Sequence, residues 1–253
     1  MIMIAYITGA SSGFGKAIAL KLAENKYDLI ITGRREHLLR ALEKEIKETY
    51  QRDVLVLAYD VRNRQQTFHM NENLPDKWKA IDVLVNNAGL AAGMDHIQEG
   101  NINDWEQMID TNLKGLLYVT RSIAPYMVAR KKGHIFNIGS IAGKEVYPKG
   151  NVYCATKFAV DALTKAMRID MLHSGIKVTQ LAPGAAETEF SLVRFKNDKE
   201  AADNVYKGYT PLYADDIAHI ISFVLSLPDH VCINDMVITC KAQASATQFH
   251  KEL

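Results

Sequence analysis

The sequence predicts a doubly wound α/β fold, in which a seven-stranded parallel sheet is covered by helices on both faces. Short runs rich in β-branched residues alternate with longer segments of helical period. Strand candidates such as 83–85 are apolar without interruption, as expected for strands that are buried on both faces. No repeat, low-complexity tract or linker marks a boundary, so residues 1–253 are predicted to form a single domain.

Seven apolar runs, in chain order, are the strand candidates. They are Met3–Thr8, Asp28–Thr32, Val54–Tyr59, Val83–Asn86, His134–Gly139, Lys177–Leu181 and Met236–Ile238. Strands that alternate with helices form parallel connections, and such connections are overwhelmingly right-handed. The runs are therefore expected to form one open sheet.

The segments between these runs have the period of crossover helices. They are Gly13–Asn25, His37–Tyr50, Arg64–Asn73, Asp104–Arg130, Asn151–His173 and Ala214–Ser226. The stretch Glu187–Tyr209 is rich in charge and lacks a clean period, which predicts a long loop. Because long loops in compact domains are usually functional, we expect a substrate loop at about 184–209.

Composition and charge exclude several classes of protein. Hydrophobic residues make up 48% of the chain and charged residues 23%, which is ordinary for a globular protein and argues against disorder. The 30 basic and 29 acidic residues leave a net charge of +1, so no general attraction to nucleic acid or to a membrane surface is expected. No apolar run approaches the roughly 20 residues of a membrane span.

The cysteine and histidine residues predict neither a disulfide framework nor a metal site. Cys154, Cys232 and Cys240 are few and far apart, and His134 and His173 lack the partner spacing of metal ligands. The apolar start of the chain is too short for a signal peptide and leads directly into a motif. A cytoplasmic protein is therefore expected.

A glycine-rich turn follows the first strand candidate. The sequence TGASSGFG at 8–15 places glycines at 9, 13 and 15 between a strand and a helix. Small residues at this point let the backbone approach a pyrophosphate, and the unpaired N–H groups at the helix start stabilise its charge. This context favours a dinucleotide site, whereas an isolated glycine cluster would indicate only a tight turn.

Two arginines end the second strand candidate, at the position where a dinucleotide fold that prefers NAD carries an acidic residue. Guanidinium groups can bind a 2′-phosphate with charge-assisted hydrogen bonds, whereas a carboxylate would repel it. Arg34 and Arg35 therefore favour NADP. The alternative is that both belong to a solvated helix start.

Two further strand ends carry residues expected on the adenosine side of the cofactor. Asp60 and Val61 follow the third strand candidate, and Asn86-Asn87-Ala88-Gly89 ends the fourth. Ligands of open α/β sheets bind at the carboxyl ends of the strands, so both segments are expected at the same crevice.

A phenol, an ammonium and a hydroxyl form the predicted catalytic group. Tyr153 and Lys157 are four residues apart in a helical segment and so share a face, and Ser140 stands at the end of a strand candidate. A tyrosine has an unperturbed pKa of about 10, but a neighbouring cation favours the phenolate. Lys157 could therefore make Tyr153 an effective proton-transfer group, while Ser140 holds the substrate oxygen.

Taken together, these motifs resemble the short-chain dehydrogenase/reductase family, whose fold is of the Rossmann type. The resemblance covers nearly the whole chain. The segments that carry it are TGASSGFG at 8–15, NNAG at 86–89, Asn112, Ser140, YCATK at 153–157 and Pro183-Gly184.

The resemblance implies a role for each matching residue. Tyr153 would be the general acid/base and Ser140 would polarise the substrate. Lys157 would hold the nicotinamide ribose, and Asn112 would support a water-linked proton relay to it. The implied cofactor-binding residues are Gly9, Ser11, Ser12, Gly13, Phe14, Gly15, Arg34, Arg35, Asp60, Val61, Asn87, Ala88, Gly89, Tyr153, Lys157, Pro183, Gly184 and Thr188.

A closer resemblance is to the NADP-dependent 3-hydroxy acid dehydrogenases, which include enzymes that oxidise serine and allo-threonine. ITGRR at 31–35, DWEQMIDTN at 104–112 and TEFSLVRFK at 188–196 carry it. Where this subgroup is expected to have a glutamate, the chain has Ala182, and Ala185-Ala186 replaces bulkier neighbours.

Arg194 is the candidate for binding a substrate carboxylate. It lies in the expected substrate loop between Val193 and Phe195, so apolar surface could hold its planar fork in place for two parallel hydrogen bonds. The alternative is an intramolecular salt bridge to Glu187 or Glu189.

These observations predict an NADP-dependent oxidoreductase acting on a short 3-hydroxy acid of the serine, allo-threonine or 3-hydroxyisobutyrate type. The alternatives are a carbonyl reductase for an uncharged ketone or sugar and a non-catalytic NADP-sensing protein. The family resemblance implies a homodimer or homotetramer. The apolar circumference of the 151–173 helix would supply part of its interface.

Overall fold

A seven-stranded sheet runs through the computed structural model, which describes residues 2–252. Its strands are β1 (Ile4–Thr8), β2 (Asp28–Gly33), β3 (Val54–Ala58), β4 (Ile81–Asn86), β5 (Gly133–Ile138), β6 (Ile176–Pro183) and β7 (Asp235–Ile238). Their order is β3-β2-β1-β4-β5-β6-β7, and every neighbouring pair is parallel. All seven predicted strands and the predicted fold class are confirmed.

Helices follow the strands as the crossover pattern requires. They are α1 (Gly13–Glu24), α2 (Glu36–Tyr50), α3 (Arg64–Glu72), α4 (Ile102–Ile109), α5 (Leu116–Arg130), α6 (Asn151–Asp170), α7 (Glu189–Arg194), α8 (Lys199–Asn204) and α9 (Ala214–Ser226). Short 3₁₀ turns lie at Asp76–Trp78, Ile141–Gly143 and Leu172–Ser174. Over residues 2–252, no helix combines the length and the apolar character needed to cross a membrane.

Two segments differ from the prediction. The helix expected over Asp104–Arg130 starts at Ile102 and contains a π-helical turn at Asp110–Gly115 between α4 and α5. The stretch predicted as a loop contains α7 and α8, and six residues are too few to show a helical period. Thr188 caps α7 by accepting a hydrogen bond from the Phe190 N–H at 3.2 Å.

The sheet separates two apolar cores, because alternate residues of a strand point to opposite faces. In β1, Ala5 and Ile7 belong to the core under α1, α2 and α9, whereas Ile4 and Tyr6 belong to the core under α5 and α6. Both faces of the central strands are therefore covered, and only the strand ends are open to ligands.

The strand order places a crevice beside the end of β1. The chain adds strands on one side of β1 and then crosses to β4 on the other, so the loops that follow β1 and β4 diverge. Thr8 joins their bases: its Oγ1 accepts hydrogen bonds from the N–H groups of Asn87 and Ala88, both at 2.9 Å. This crevice is where a ligand of a doubly wound sheet is expected.

Candidate active site

The turn between β1 and α1 depends on glycine for its shape. Gly9 has a φ of +67° and Gly13 a φ of +51°, in the left-handed region that favours glycine. A Cβ atom on Gly9 would lie 2.9 Å from Nδ2 of Asn87. Ser12 precedes α1 but does not cap the helix with its side chain. The start of α1 is therefore suited to receive an anion on its N–H groups.

Gly15 has a packing role. A Cβ atom at this position would lie 2.3 Å from the carbonyl oxygen of Gly9, so α1 can approach the turn only with glycine there. Gly15 does not line the adjoining cavity. The other predicted residues of the turn do line it: Gly9, Ser11, Ser12, Gly13 and Phe14.

The two arginines after β2 have different surroundings. Arg35 donates hydrogen bonds from Nη2 to Oγ of Ser12 at 2.7 Å and to Oε2 of Glu189 at 2.9 Å, and it also donates to Ser11. Arg35 therefore links the glycine-rich turn to the start of α7. Arg34 is exposed at the cavity wall, and its guanidinium makes no hydrogen bond with the other described residues.

The loops after β3 and β4 form the next part of the wall. Asp60 accepts hydrogen bonds from Nε and Nη2 of Arg62 at 2.9 and 2.6 Å, which fixes its carboxylate. Asn87 donates from Nδ2 to the Thr8 carbonyl at 2.8 Å. The predicted residues Asp60, Val61, Asn87, Ala88 and Gly89 all line the cavity.

The predicted catalytic side chains meet at the ends of β5 and α6. Tyr153 and Lys157 lie one turn apart on α6, and Nζ of Lys157 is 5.8 Å from the centroid of the Tyr153 ring. Lys157 donates to the Ile138 carbonyl at 2.9 Å. Ser140 accepts from the Ala142 N–H at 3.1 Å and donates to the Pro183 carbonyl at 3.4 Å.

Burial dominates the protonation of this group. It raises the pKa of Tyr153 well above its usual range, and the neighbouring Tyr147 adds to the rise, while Ser140 and Arg194 oppose it. Burial also lowers the pKa of Lys157 to about 8. Both groups therefore tend towards their neutral forms, because a low-dielectric site disfavours either charge.

Asn112 lies on the π-helical turn beside this group. Its Oδ1 accepts from the Leu90 N–H, and its Nδ2 donates to the Leu90 carbonyl, both at 2.8 Å. Nδ2 also donates to Oγ1 of Thr156 at 3.1 Å. The side chain thus ties the loop after β4 to α6 and does not line the cavity.

Arg194, at the end of α7, lies between two aromatic rings. Its Cζ is 5.3 Å from the centroid of Tyr147 and 5.8 Å from that of Tyr153. Nη2 donates to the Tyr147 hydroxyl at 2.8 Å, while the buried Nε–H has no hydrogen-bond partner among the described residues. The alternative salt bridge is not seen, because Glu189 pairs with Arg35 and Arg194 has no carboxylate within 4.0 Å in residues 2–252.

One cavity of about 590 Å³ joins these parts. It extends from the glycine-rich turn past Ser140, Tyr153 and Lys157 to Arg194. Pro183, Gly184 and Thr188 complete the set of predicted residues on its wall. Ala182 is fully buried in β6 and does not reach the cavity, unlike Ala185 and Ala186.

Comparison with known proteins identifies the arrangement. The profile of the family described as short chain dehydrogenase matches residues 3–199. The chain belongs to this family. The family resemblance predicted from the motifs is therefore confirmed, and the chain is an enzyme.

Relatives of this short-chain dehydrogenase match it over nearly its whole length. The NADP-dependent 3-hydroxy acid dehydrogenase of Salmonella typhi is 46% identical, covering 96% of this chain and 97% of its own. The Schizosaccharomyces pombe enzyme of the same description is 42% identical, with 97% and 95% covered. A closed form of serine dehydrogenase complexed with NADP⁺ has a TM-score of 0.91 and 41% identity, covering 99% of this chain and 100% of that one.

Several cavity residues of the short-chain dehydrogenase were not predicted from the sequence. Tyr147 and Phe190 flank Tyr153, and the Phe190 ring centroid is 5.6 Å from that of Tyr153. Gln243 accepts from the Ala185 N–H at 2.8 Å. An aromatic residue shortly before the Tyr153 motif could have drawn attention to Tyr147. No local pattern marks Gln243, since it arrives from the end of the chain.

Proposed function

We propose that this chain transfers a hydride between NADP(H) and the hydroxyl-bearing carbon of a short 3-hydroxy acid. The chain is an NADP-dependent oxidoreductase that acts on a CH–OH group. Serine, allo-threonine and 3-hydroxyisobutyrate are the candidate substrate types. The observation that carries the proposal is Arg194, whose guanidinium lies beside Tyr153 with a buried N–H that no other described residue binds.

The residues of the crevice fit the cofactor. The uncapped start of α1 and the turn at Gly9 and Gly13 suit a pyrophosphate, because no Cβ atoms block its approach. Asp60, Val61, Asn87, Ala88 and Gly89 would surround the adenosine half. Pro183, Gly184 and Thr188 would hold the nicotinamide half. The chemistry that NADP supplies when bound is hydride exchange at its nicotinamide ring.

Arg34 and Arg35 would select NADP over NAD. Arg34 is the freer of the two and would bind the 2′-phosphate directly. Arg35 has donors committed to Ser11, Ser12 and Glu189, so its contribution would include holding the turn and α7 together. Both roles place positive charge where an NAD enzyme carries a carboxylate.

Tyr153 would transfer the proton. In oxidation its phenolate takes the proton of the substrate hydroxyl, and in reduction its hydroxyl returns a proton to the carbonyl oxygen. Ser140 would hold that oxygen in place. Lys157 would bind the nicotinamide ribose and favour the phenolate through its charge. The side chain of Asn112 is committed to Leu90 and Thr156, so its part in a proton relay would fall to its main chain.

Arg194 would bind the carboxylate of the substrate. A guanidinium presents parallel donors that match the two oxygens of a carboxylate, and the hydroxyl and ring of Tyr147 limit its movement. A small acid has few other groups to bind, so fixing its carboxylate would orient its hydroxyl towards Tyr153. The 184–209 segment, which contains α7 and α8, would then be the substrate loop.

We also propose that the enzyme is a homodimer or homotetramer. α5 and α6 expose apolar side chains to solvent in the single chain. These are Leu117, Val128, Phe158 and Ile169. Multi-angle light scattering would give the mass of the assembly directly.

The test of the substrate class is a screen in which NADP⁺ reduction is followed by absorbance. Each 3-hydroxy acid is paired with its methyl ester, which keeps the hydroxyl and removes the charge. We expect the acid to have the higher kcat/KM. An ester that is oxidised as well as its acid would instead support the alternative of a carbonyl reductase for uncharged substrates.

A further inference from the structure

Two cations lie beside the ring of the proposed proton-transfer group. Nζ of Lys157 and Cζ of Arg194 are each 5.8 Å from the centroid of the Tyr153 ring. Lys157 comes from the same helix, whereas Arg194 comes from α7. A positive charge at such a distance in a poorly hydrated site favours the phenolate over the phenol.

The two cations differ in how firmly they hold their charge. Burial lowers the pKa of Lys157 to about 8, so Lys157 loses its charge as the pH rises above that value. A guanidinium does not lose its proton in proteins. Arg194 is therefore the permanent positive charge next to Tyr153.

Asp95, Asp104 and Lys149 line a small pocket beside Tyr153, and Asp104 pairs with Lys196 at 2.9 Å. The groups on the other sides of Tyr153 are neutral or paired. Burial raises the pKa of Tyr147, which precedes α6, and the pKa of Cys154 on α6. Glu189 on α7 pairs with Arg35 at 2.9 Å, outside the reach of Arg194. Within residues 2–252, no carboxylate lies within 4.0 Å of the Arg194 guanidinium, so its charge is not neutralised by an ion pair.

We propose that Arg194 acts on Tyr153 as well as on the substrate: its charge stabilises the phenolate before substrate binds, and the substrate's carboxylate then cancels that charge. This inference rests on the proposed function of Arg194 as the carboxylate-binding residue. It makes the protonation of Tyr153 depend on whether the bound molecule is an acid.

The consequence is a difference between the two directions of the reaction. With an oxo acid bound to Arg194, Tyr153 retains its proton and can donate it to the carbonyl oxygen. With an uncharged alcohol bound, the charge of Arg194 is not cancelled and continues to stabilise the phenolate. Tyr153 is then a better base than it is with an acid bound. Near neutral pH, the carboxylate of the bound molecule is therefore expected to increase the rate of carbonyl reduction more than the rate of alcohol oxidation.

The experiment measures the ionisation of Tyr153 in the NADP⁺ complex by the ultraviolet absorbance of tyrosinate. The chain has 11 tyrosines, so the signal of Tyr153 is taken as the difference between each protein and its Tyr153→Phe counterpart. Propionate, which has a carboxylate but no hydroxyl, serves as the probe, and propionamide is its uncharged control. Arg194→Met removes the charge with little loss of length, and Arg194→Lys retains the charge.

We expect Arg194→Met to raise the midpoint of Tyr153 ionisation by about one to two pH units, because it removes one charge that lies 5.8 Å from the ring centroid at an intermediate effective dielectric constant. Arg194→Lys should stay near the parent value. Saturating propionate should raise the midpoint of the parent enzyme towards that of Arg194→Met, while propionamide should have no effect. A midpoint that Arg194→Met does not move would overturn the inference.

Calorimetric binding of propionate separates this inference from the proposed function. If propionate binds Arg194→Met as tightly as the parent enzyme, the carboxylate site lies elsewhere and the proposed function fails. If binding depends on Arg194 but propionate leaves the Tyr153 midpoint unchanged, the proposed function stands and the coupling is refuted. Equal affinity of all variants for NADP⁺ shows that each is folded.

Discussion

The two halves of the proposed active site are built in different ways. The cofactor half is made mainly of backbone and small residues in the turns after β1, β3 and β4, each close to its strand in the sequence. The substrate half is made of large side chains that come from separate segments, such as Tyr147, Phe190 and Arg194. The shape of the cofactor half is therefore set by the backbone of short turns. The shape of the substrate half is set by contacts between side chains that are distant in the sequence.

Tyr153, the proposed proton-transfer residue, lies where the two halves meet, so its removal should have the largest effect. Tyr153→Phe loses the proton-carrying oxygen, and we expect kcat to fall by about 10²–10⁴-fold, as for a positioned acid/base. NADPH binding, followed by fluorescence, should remain. A phenylalanine variant that keeps more than about a tenth of kcat would move the proton donor to another residue.

Burial of the charged Lys157 side chain should lower the free energy of unfolding. Its pKa is lowered to about 8 in the folded chain, so the unfolded chain binds more protons between about pH 8 and its ordinary pKa of 10.5. Stability should therefore rise with pH across that window, and below it the full penalty of burying the charge applies. Lys157→Met should stabilise the cofactor-free protein near pH 7 by on the order of 2–3 kcal/mol.

The extra stability of Lys157→Met should decrease as the pH rises from 8 towards 10.5, the pKa values of Lys157 in the folded and the unfolded chain. Urea unfolding at several pH values measures it. A Lys157→Met protein that is less stable than the parent at neutral pH would show that the hydrogen bond to Ile138 outweighs the desolvation of the charge.

The glycine-rich turn offers a matched pair of substitutions that test the cofactor half. A Cβ atom on Gly15 would lie 2.3 Å from the Gly9 carbonyl, whereas on Gly33 its nearest contact is 3.6 Å, an ordinary separation. Gly15→Ala should lower the free energy of unfolding by about 1–3 kcal/mol, as overpacking does. Gly33→Ala should change it little. Equal stabilities in thermal unfolding would mean that the backbone relaxes without cost.

Substitutions of the arginines after β2 test which side chains select NADP over NAD. Replacing both Arg34 and Arg35 with alanine should raise the KM for NADP⁺ relative to that for NAD⁺ by roughly tenfold or more, the worth of a charge-assisted hydrogen bond. Arg34→Ala alone should reproduce most of this selective loss. Steady-state kinetics with both cofactors measures it, and equal losses with NAD⁺ and NADP⁺ would refute the assignment.

The sequence predicts which turns line the proposed cofactor half of the cavity, for a physical reason. The turn at 8–15 and the residues at 60–61 and 87–89 follow strand ends, and parallel strands bring those ends to one edge. Local spacing is then enough to place the residues. Even so, spacing alone did not distinguish Gly15, which packs against Gly9, from its cavity-lining neighbours.

The substrate half is less predictable because its contacts are long-range. The pairing of Arg35 with Glu189 joins residues far apart in the chain. The 189–194 helix is too short to show a helical period in the sequence. Arg194 was found from its apolar neighbours and from a family resemblance, but its position between Tyr147 and Tyr153 needed the fold. Gln243 reaches the site from the last segment of the chain.

The most direct test of the proposed substrate class compares Arg194→Lys and Arg194→Ala on a 3-hydroxy acid and on an uncharged alcohol. Lysine keeps the charge and loses the paired donors, so Arg194→Lys should lower kcat/KM for the acid by about 1.5–3 kcal/mol while sparing the alcohol. Arg194→Ala should lower it for the acid at least as much, and should also slow oxidation of the alcohol, because the charge that favours the Tyr153 phenolate is lost. Parallel losses of Arg194→Lys on both substrates would make Arg194 a structural residue. No loss on either would contradict the account and place the carboxylate site elsewhere.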